Sequence, residues 1–211
     1  MRISKEKAAE NRAALIRAAS KLIRERGIDG VGVAEISKEA NLTHGALYAH
    51  FKSKEALALE ALSYGLEQTA SRMYSATVNG MPDLKAYLDG YLSLECRDDY
   101  ANRCPMAAGS SEIGRQDKAI STRFAEGYMV MVRAFERQIA QNDPGSDALA
   151  RAMTVVATMI GSIAISRGTA KGNPQVSEQL LAAARGVIDE MMLAPKNGID
   201  LNGGTGVKGA A

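Results

Sequence analysis

Apolar residues return at helical spacing along almost the whole chain, and that periodicity leaves little room for anything but a helical fold. Leu15, Ile16, Ala19, Leu22 and Ile23 occupy the i, i+1, i+4, i+7 and i+8 positions of one helix face. No run of alternating strands and no internal repeat interrupts the pattern. Breakers divide it. Gly27 stops the first helix, and two short helices are predicted over 33–41 and 43–51. Ser53 can cap a fourth helix from Lys54 to about Val78, broken by Gly80 and Pro82, and Asp83 to Arg97 reads as one further helix. Cys104-Pro105 fits an N-cap followed by proline at the first helical position. Residues 116–142, 146–167 and 176–193 are long helices, separated by Asp143-Pro144-Gly145 and Lys171-Gly172-Asn173-Pro174. The expectation is an all-α chain of about nine helices, with a glycine-rich, aperiodic tail beyond Pro195 that is expected to be disordered.

Composition narrows the function classes. The 211 residues, 46% hydrophobic and 24% charged, suffice for one or two domains with a real core. Two cysteines are too few for a disulfide framework and suggest a reducing compartment. The only histidines are His44 and His50, which excludes a histidine-rich metal site. The N-terminus lacks the apolar core of a secretory signal. The longest apolar stretch, Ala152 to Ile165, contains Thr154, Thr158 and Ser162 and falls short of the roughly 20 residues of a membrane span. A cytoplasmic protein without a membrane partner is expected. No Ser–His–Asp pattern, metal-ligand cluster, phosphate-binding loop or dinucleotide fingerprint is present, so no enzyme and no cofactor are expected.

The net charge of +2 conceals an asymmetry. Residues 1–54 hold 11 Lys and Arg against 6 Asp and Glu, whereas the remainder hold 15 against 18. A basic head on a mildly acidic body suits an anionic partner. The alternative is that Arg12, Arg17, Lys21 and Arg24 form the solvated face of the first helix.

The three helices of that head meet the requirements of a helix-turn-helix. Ile36 and Ala40 provide the apolar and small residues where two helices cross. Asn41 tolerates the left-handed backbone of the turn, Leu42 plugs it, and Thr43 can cap the next helix through its side chain. Leu47 and Phe51, four apart, pack inward with Ile36 and Ala40, which leaves Thr43, His44, Gly45, Ala46, Tyr48 and His50 on or near the exposed side.

The run from Val33 to Leu57 resembles the DNA-binding signature of the TetR family of bacterial repressors. The shared elements are Ile36-x-x-x-Ala40 at the turn, Gly45-x-Leu47-Tyr48-x-His50-Phe51 in the recognition helix, and Lys54-x-x-Leu57 at the start of the fourth. Two positions depart from the family. Val31 and Gly32 stand where a threonine is frequent, which puts a phosphate contact from the second helix in doubt, and Asn41 replaces the usual turn glycine.

The resemblance implies a helix-turn-helix DNA-binding domain over 1–54, a helical ligand-binding and dimerisation domain over 55–195 and a flexible tail over 196–211. It implies a ligand-responsive regulator, a repressor released from a palindromic double-stranded DNA operator by a small-molecule inducer. Thr43, Tyr48, His50 and Lys54 would then meet the sugar–phosphate backbone, and His44, Gly45 and Ala46 the base edges. The other readings keep Tyr48 half-buried in the core and His50 as a packing residue.

In the body, Tyr74, Tyr87, Tyr91, Cys104, Met106, Phe124, Tyr128, Met131 and Phe135 are the pocket candidates, each of which could equally be core. A homodimer through the last two helices is implied, and small residues there allow close approach: Ala157, Gly161 and Ala164 on one, with Leu181, Val187 and Ile188 adding apolar area on the other. Cys104 is either a thiol activated by a helix N-terminus, with Arg97 and Arg103 nearby, or a small buried hydrophobe.

Overall fold

Ten helices and one short hairpin make up the computed structural model, which describes residues 4–145 and 147–193. The head holds α1 (Lys5–Arg26), α2 (Val33–Glu39) and α3 (His44–His50). The body holds α4 (Lys54–Met73), α5 (Leu84–Tyr91), α6 (Leu94–Asp98), α7 (Pro105–Ile113), α8 (Lys118–Asn142), α9 (Ala148–Ala170) and α10 (Pro174–Leu193). The tail predicted over 196–211 lies outside the described residues.

Most helix starts are set by local side-chain chemistry. Ser4 Oγ accepts from the Lys7 amide at 3.1 Å, Ser53 Oγ from Ala56 at 3.1 Å, Asp117 Oδ1 from Ile120 at 2.9 Å and Asp147 Oδ1 from Ala150 at 3.3 Å. Each satisfies one of the four orphan amides of a helix N-terminus. Cys104-Pro105 does open α7, although the thiol makes no capping bond.

The structure corrects two segments. The fourth helix stops at Met73, not near Val78. Thr77–Val78 (β1) instead pairs antiparallel with Met81–Pro82 (β2). Asn79 and Gly80 both have positive φ, 53° and 76°, which is the Asn-Gly turn whose twist matches a two-residue hairpin. The predicted helix over 83–97 is two helices. Ser93 separates them: its hydroxyl donates to Gly90 O at 2.9 Å and accepts from the Cys96 amide at 3.1 Å, so it terminates α5 and caps α6.

Two apolar clusters follow. One lies inside the head, where Leu15, Ala19, Leu22, Val31, Ile36, Leu47 and Phe51 are buried together with Leu57 and Ala61 of α4. The other fills the body, with Leu66, Met106, Met131, Phe135, Ile139, Val156, Met159 and Ile163 at its centre. The two faces of α4 serve different clusters, Leu57 and Ala61 the head, Ala58, Leu62 and Leu66 the body. Gly127 lets α8 close on α4, since a Cβ there would stand 2.7 Å from both Leu66 methyls.

By length and composition α9 suffices to cross a membrane, at 23 residues rather than the 14 of the apolar stretch from Ala152 to Ile165. Its inward face is nevertheless committed to the protein: Ala152, Val155, Val156, Met159, Ile160 and Ile163 are all buried in the body core. An arginine fastens each end. Arg151 bonds Asp143 at 2.9 Å and the Met191 carbonyl, and Arg167 bonds the Cys96 and Arg97 carbonyls at 3.0 and 2.8 Å.

Candidate nucleic-acid interface and an interior cavity

A seven-residue helix has too little intrinsic stability to hold its own orientation, so α3 is placed by its neighbours. Asn41 adopts φ 55°, and the Leu42 amide then reaches Ser37 O at 2.8 Å, closing the turn between α2 and α3. Leu47 and Phe51 enter the head cluster. The opposite face is bare. Thr43, His44, Gly45 and Tyr48 are exposed, Tyr48 to 56%, and the His44 and Tyr48 rings stand 5.7 Å apart one helical turn from each other. A Cβ on Gly45 would meet nothing within 4 Å, so the helix front is open there. Ala46, His50 and Lys54 border this face and are half-buried. Thr43 sits at the N-cap position but makes no side-chain capping bond, contrary to the expectation, and its hydroxyl stays available to a partner.

The basic excess is not where the sequence suggested. Arg12 bonds Glu60 at 2.7 Å with its guanidinium 5.0 Å above the Phe51 ring, Lys21 pairs with Glu39 at 2.6 Å, and Arg24 is buried with Nε on Ala101 O at 2.7 Å. Arg24 is therefore removed from the solvated face of α1, whereas Arg12 and Lys21 stay on it in partly exposed ion pairs and Arg17 is exposed without one among the described residues. Among the described residues Lys38, Lys52 and Lys54 enter no ion pair. At the start of α2, Gly32 donates its amide to Glu35 Oε2 at 3.1 Å, and that bond lowers the Glu35 pKa. A carboxylate occupies this helix start, and Val31 is buried, so the side chain needed for a phosphate contact there is missing.

Behind the head, α4, α5 and α6 border a half-open cavity of about 270 Å³. Thr69, Arg72 and Met73 form one wall, Tyr87 and Tyr91 another, with Asp83, Cys96 and Arg103 at the remaining sides. The Tyr87 and Tyr91 rings lie 5.7 Å apart, and both hydroxyls are buried without a hydrogen-bond partner. Burial first, then the Cys104 thiol, pushes both phenols well above their ordinary range, so they are neutral hydroxyls.

Only some of the predicted pocket residues meet here. Tyr87 and Tyr91 line the cavity, and Cys104 is buried beside Tyr91. Tyr74 is largely exposed, while Met106, Met131 and Phe135 are core. Phe124 and Tyr128 lie half-buried on α8, where the Tyr128 hydroxyl donates to Met153 O at 2.7 Å. Arg72, Cys96 and Arg103 were not predicted to line it; a search for apolar and aromatic residues passes over arginines.

The cavity wall continues toward the head. The loop between α6 and α7 receives Arg24 of α1 on Ala101 O. Glu112 of α7 accepts the Asp29 amide at 3.0 Å and packs against Gly27, whose φ of 81° and missing side chain admit the carboxylate.

Comparison with known proteins places these features. The family described as "Bacterial regulatory proteins, tetR family" matches residues 15–61, the span that holds the turn, α3 and the start of α4. Residues 15–61 therefore form a head of the TetR type. An HTH-type transcriptional regulator, YuxN of Bacillus subtilis, is 37% identical over 73 residues, which are 35% of this chain and only 25% of that protein. A Mycobacterium tuberculosis HTH-type regulator is 28% identical over 160 residues, 72% of this chain and 82% of its own length. The repressor BepR of Brucella suis is 43% identical over 54 residues, 26% of each chain. In fold, a TetR regulator of Legionella pneumophila superposes with a TM-score of 0.70 at 19% identity, covering 90% of this chain and 98% of its own. SmeT in complex with triclosan gives 0.59 at 21%, covering 87% and 90%. A head of this type supports DNA-binding transcriptional regulation.

On the outer side of α9 and α10, Met153, Ala157, Ile165, Val176 and Val187 are exposed, with Gly161 and Ala164 half-buried between them. Leu181 and Ile188, assigned to the same face from the sequence, point into the body core instead.

Both cysteines are buried and free. Cys96 is pushed up to about 11, by burial and by the Cys104 thiol, against which the nearby arginines act weakly. Arg97 does not serve Cys104: it bonds Asp98 and Ser177. A raised thiol pKa leaves little thiolate at pH 8, so iodoacetamide should label Cys96 in the folded protein at least ~10-fold more slowly than in urea. Peptide mass spectrometry over time checks this; equal rates would refute the burial of Cys96.

Proposed function

We propose that this chain is a homodimeric, cytoplasmic repressor whose heads, residues 1–54, bind a palindromic operator and whose body, residues 55–195, releases it on binding a small molecule. The observation that carries this reading is the two-sidedness of α3. One side holds Leu47 and Phe51 in the core; the other offers Thr43, His44, Gly45 and Tyr48 to solvent, with the unpaired Lys54 beside it. Such a helix fits a major groove. Thr43, Tyr48, His50 and Lys54 position the head on phosphates, while His44 and Ala46 meet base edges.

The apolar stripe on α9 and α10 supports the dimer. A second copy laid on it would bury Met153, Ile165, Val176 and Val187, with Ala157 and Gly161 allowing close approach. A two-fold dimer sets two recognition helices about 34–36 Å apart, one helical turn of DNA. The release mechanism follows from the cavity and its neighbours. A ligand between Arg72, Tyr87 and Tyr91 displaces α6, the loop to α7 and α7 itself; the loop holds the head through Ala101–Arg24 and α7 holds it through Glu112–Asp29. The ligand thereby changes the spacing of the heads, and operator and ligand oppose each other reciprocally. The triclosan bound by SmeT, on a body of the same fold, agrees with a ligand site, and the repressor BepR, similar over its head, agrees with repression.

The test is a gel-shift titration against DNA upstream of the protein's own gene. Affinity should fall steeply as salt rises, because bound lysines release condensed counterions. Lys54→Ala should lower affinity for every sequence and flatten the slope of log K against log salt by about 2 for a dimer, one per head. His44→Ala should relax preference at one base pair, by about 1–3 kcal/mol. Absence of sequence-selective binding at low salt would end the repressor reading; an unchanged slope in Lys54→Ala would remove Lys54 from the phosphate.

A further inference from the structure

The cavity walls specify more than the presence of a ligand. Of the polar groups around it, the hydroxyls of Tyr87 and Tyr91 are buried and have no hydrogen-bond partner. Tyr91 is 5% exposed, and its hydroxyl belongs to a residue that lines the cavity. Buried polar groups are nearly always paired in a folded protein, so two on residues of one small cavity suit a partner with acceptor atoms.

The charge of that partner follows from the arginines. Arg103 is already held by Glu95 and lies 3.5 Å from Asp99. Arg72 lines the same cavity and enters no ion pair among the described residues. Its charge is felt at Tyr87 and Cys96, where it partly opposes the effect of burial. Asp83, the one carboxylate on the wall, spends Oδ1 on the Ala86 amide at the start of α5. Arg72 therefore lines the cavity with no carboxylate within ion-pair distance among the described residues, beside two tyrosines whose neutral hydroxyls can donate, while Asp83 keeps its charge elsewhere on the lining.

We propose that this cavity binds a small organic monocarboxylate, its oxygens held by Arg72 and by the hydroxyls of Tyr87 and Tyr91. A planar guanidinium matches a carboxylate in both geometry and charge. A volume of about 270 Å³ lies at the low end of ligand sites, and Met73, Ala76, Ala86 and Gly90 leave an apolar remainder for a short aliphatic or aromatic body. A phosphate ester, carrying nearly two charges, would find a single free cation. The inference rests on the ligand-responsive reading above for its regulatory meaning.

Isothermal titration calorimetry on the full chain, without DNA, tests it with benzoate, phenylacetate and hexanoate, each against its primary amide, and with inorganic phosphate. At least one acid should bind at least tenfold more tightly than its amide and than phosphate. Arg72→Gln should lower that affinity at least tenfold, Arg72→Lys should restore part of it, and Tyr91→Phe should lower it severalfold. The proposal is overturned if no acid binds, if an amide or phosphate binds as well as the acid, or if Arg72→Gln leaves the affinity unchanged. Gel shift with the bound acid is the separate arm. An acid that binds through Arg72 but does not release the operator supports the carboxylate site and refutes release by this ligand.

Discussion

Leu47→Ala is expected to destabilise the protein by about 2–5 kcal/mol and to abolish operator binding, whereas Tyr48→Ala, one residue away, should leave stability within about 0.5 kcal/mol and weaken DNA binding alone. Leu47 is fully buried among Leu15, Ile36, Phe51 and Leu57. The head cluster is small, so a cavity there has few neighbours to close it. With α3 only seven residues long, its angle to α2 depends on Leu47 and Phe51 rather than on its own hydrogen bonds. Tyr48 points the other way and is mostly exposed. Urea denaturation followed by circular dichroism gives the stability difference, and gel shift gives the binding. A Leu47→Ala chain as stable as the parent would mean that the buried face of α3 has been assigned wrongly.

Arg167→Met is the second substitution with a large expected effect, a loss of about 3 kcal/mol in the same denaturation experiment. Arg167 is only 8% exposed. Its Nε donates to Arg97 O at 2.8 Å and Nη2 to Cys96 O at 3.0 Å, the final carbonyls of α6, while the guanidinium lies 4.3 Å from the Tyr100 ring centre. A cation at a helix C-terminus satisfies carbonyls that have no partner within the helix and offsets the negative end of its dipole. Methionine retains apolar volume but leaves two buried carbonyls unpaired. Because α6 forms one wall of the cavity and α9 carries the proposed dimer stripe, Arg167 ties the two together. Ligand affinity should fall with stability in Arg167→Met. A variant as stable as the parent would show that α6 is held in place by other contacts.

The part of this protein that was legible before folding is the part whose determinants are local. The head was readable because its turn, caps and inward residues follow one another within 25 positions: Asn41 supplies the positive φ, Leu47 and Phe51 the buried side, Tyr48 the exposed one. Helix starts at Ser53, Asp117 and Asp147 rest on one side chain and an amide three residues on. The misread segments were local too, but their signals were overridden: Asn79-Gly80 marks a hairpin turn that helical periodicity obscured, and Ser93 splits a helix that composition would continue.

Partnerships across the fold were not legible. Arg12, Lys21 and Arg24 look alike on a helix, yet Glu60, Glu39 and the Ala101 carbonyl absorb them, which leaves Arg17, Lys38, Lys52 and Lys54 among the cations without an ion pair in the described part of the head. Leu181 and Val187 share a helix and an apolar character, and only packing against α9 sends one inward and leaves the other to solvent. Tyr87 and Tyr91 were named, but their lack of partners and their meeting with Arg72 and Arg103 arise from four separate segments closing on one cavity. The amino-acid sequence by itself determined where helices begin and end and which short helix reads outward, because those depend on neighbours along the chain. Tertiary structure decided which charges remain free and which buried polar groups lack a partner, because burial and pairing are set by residues that are distant in sequence.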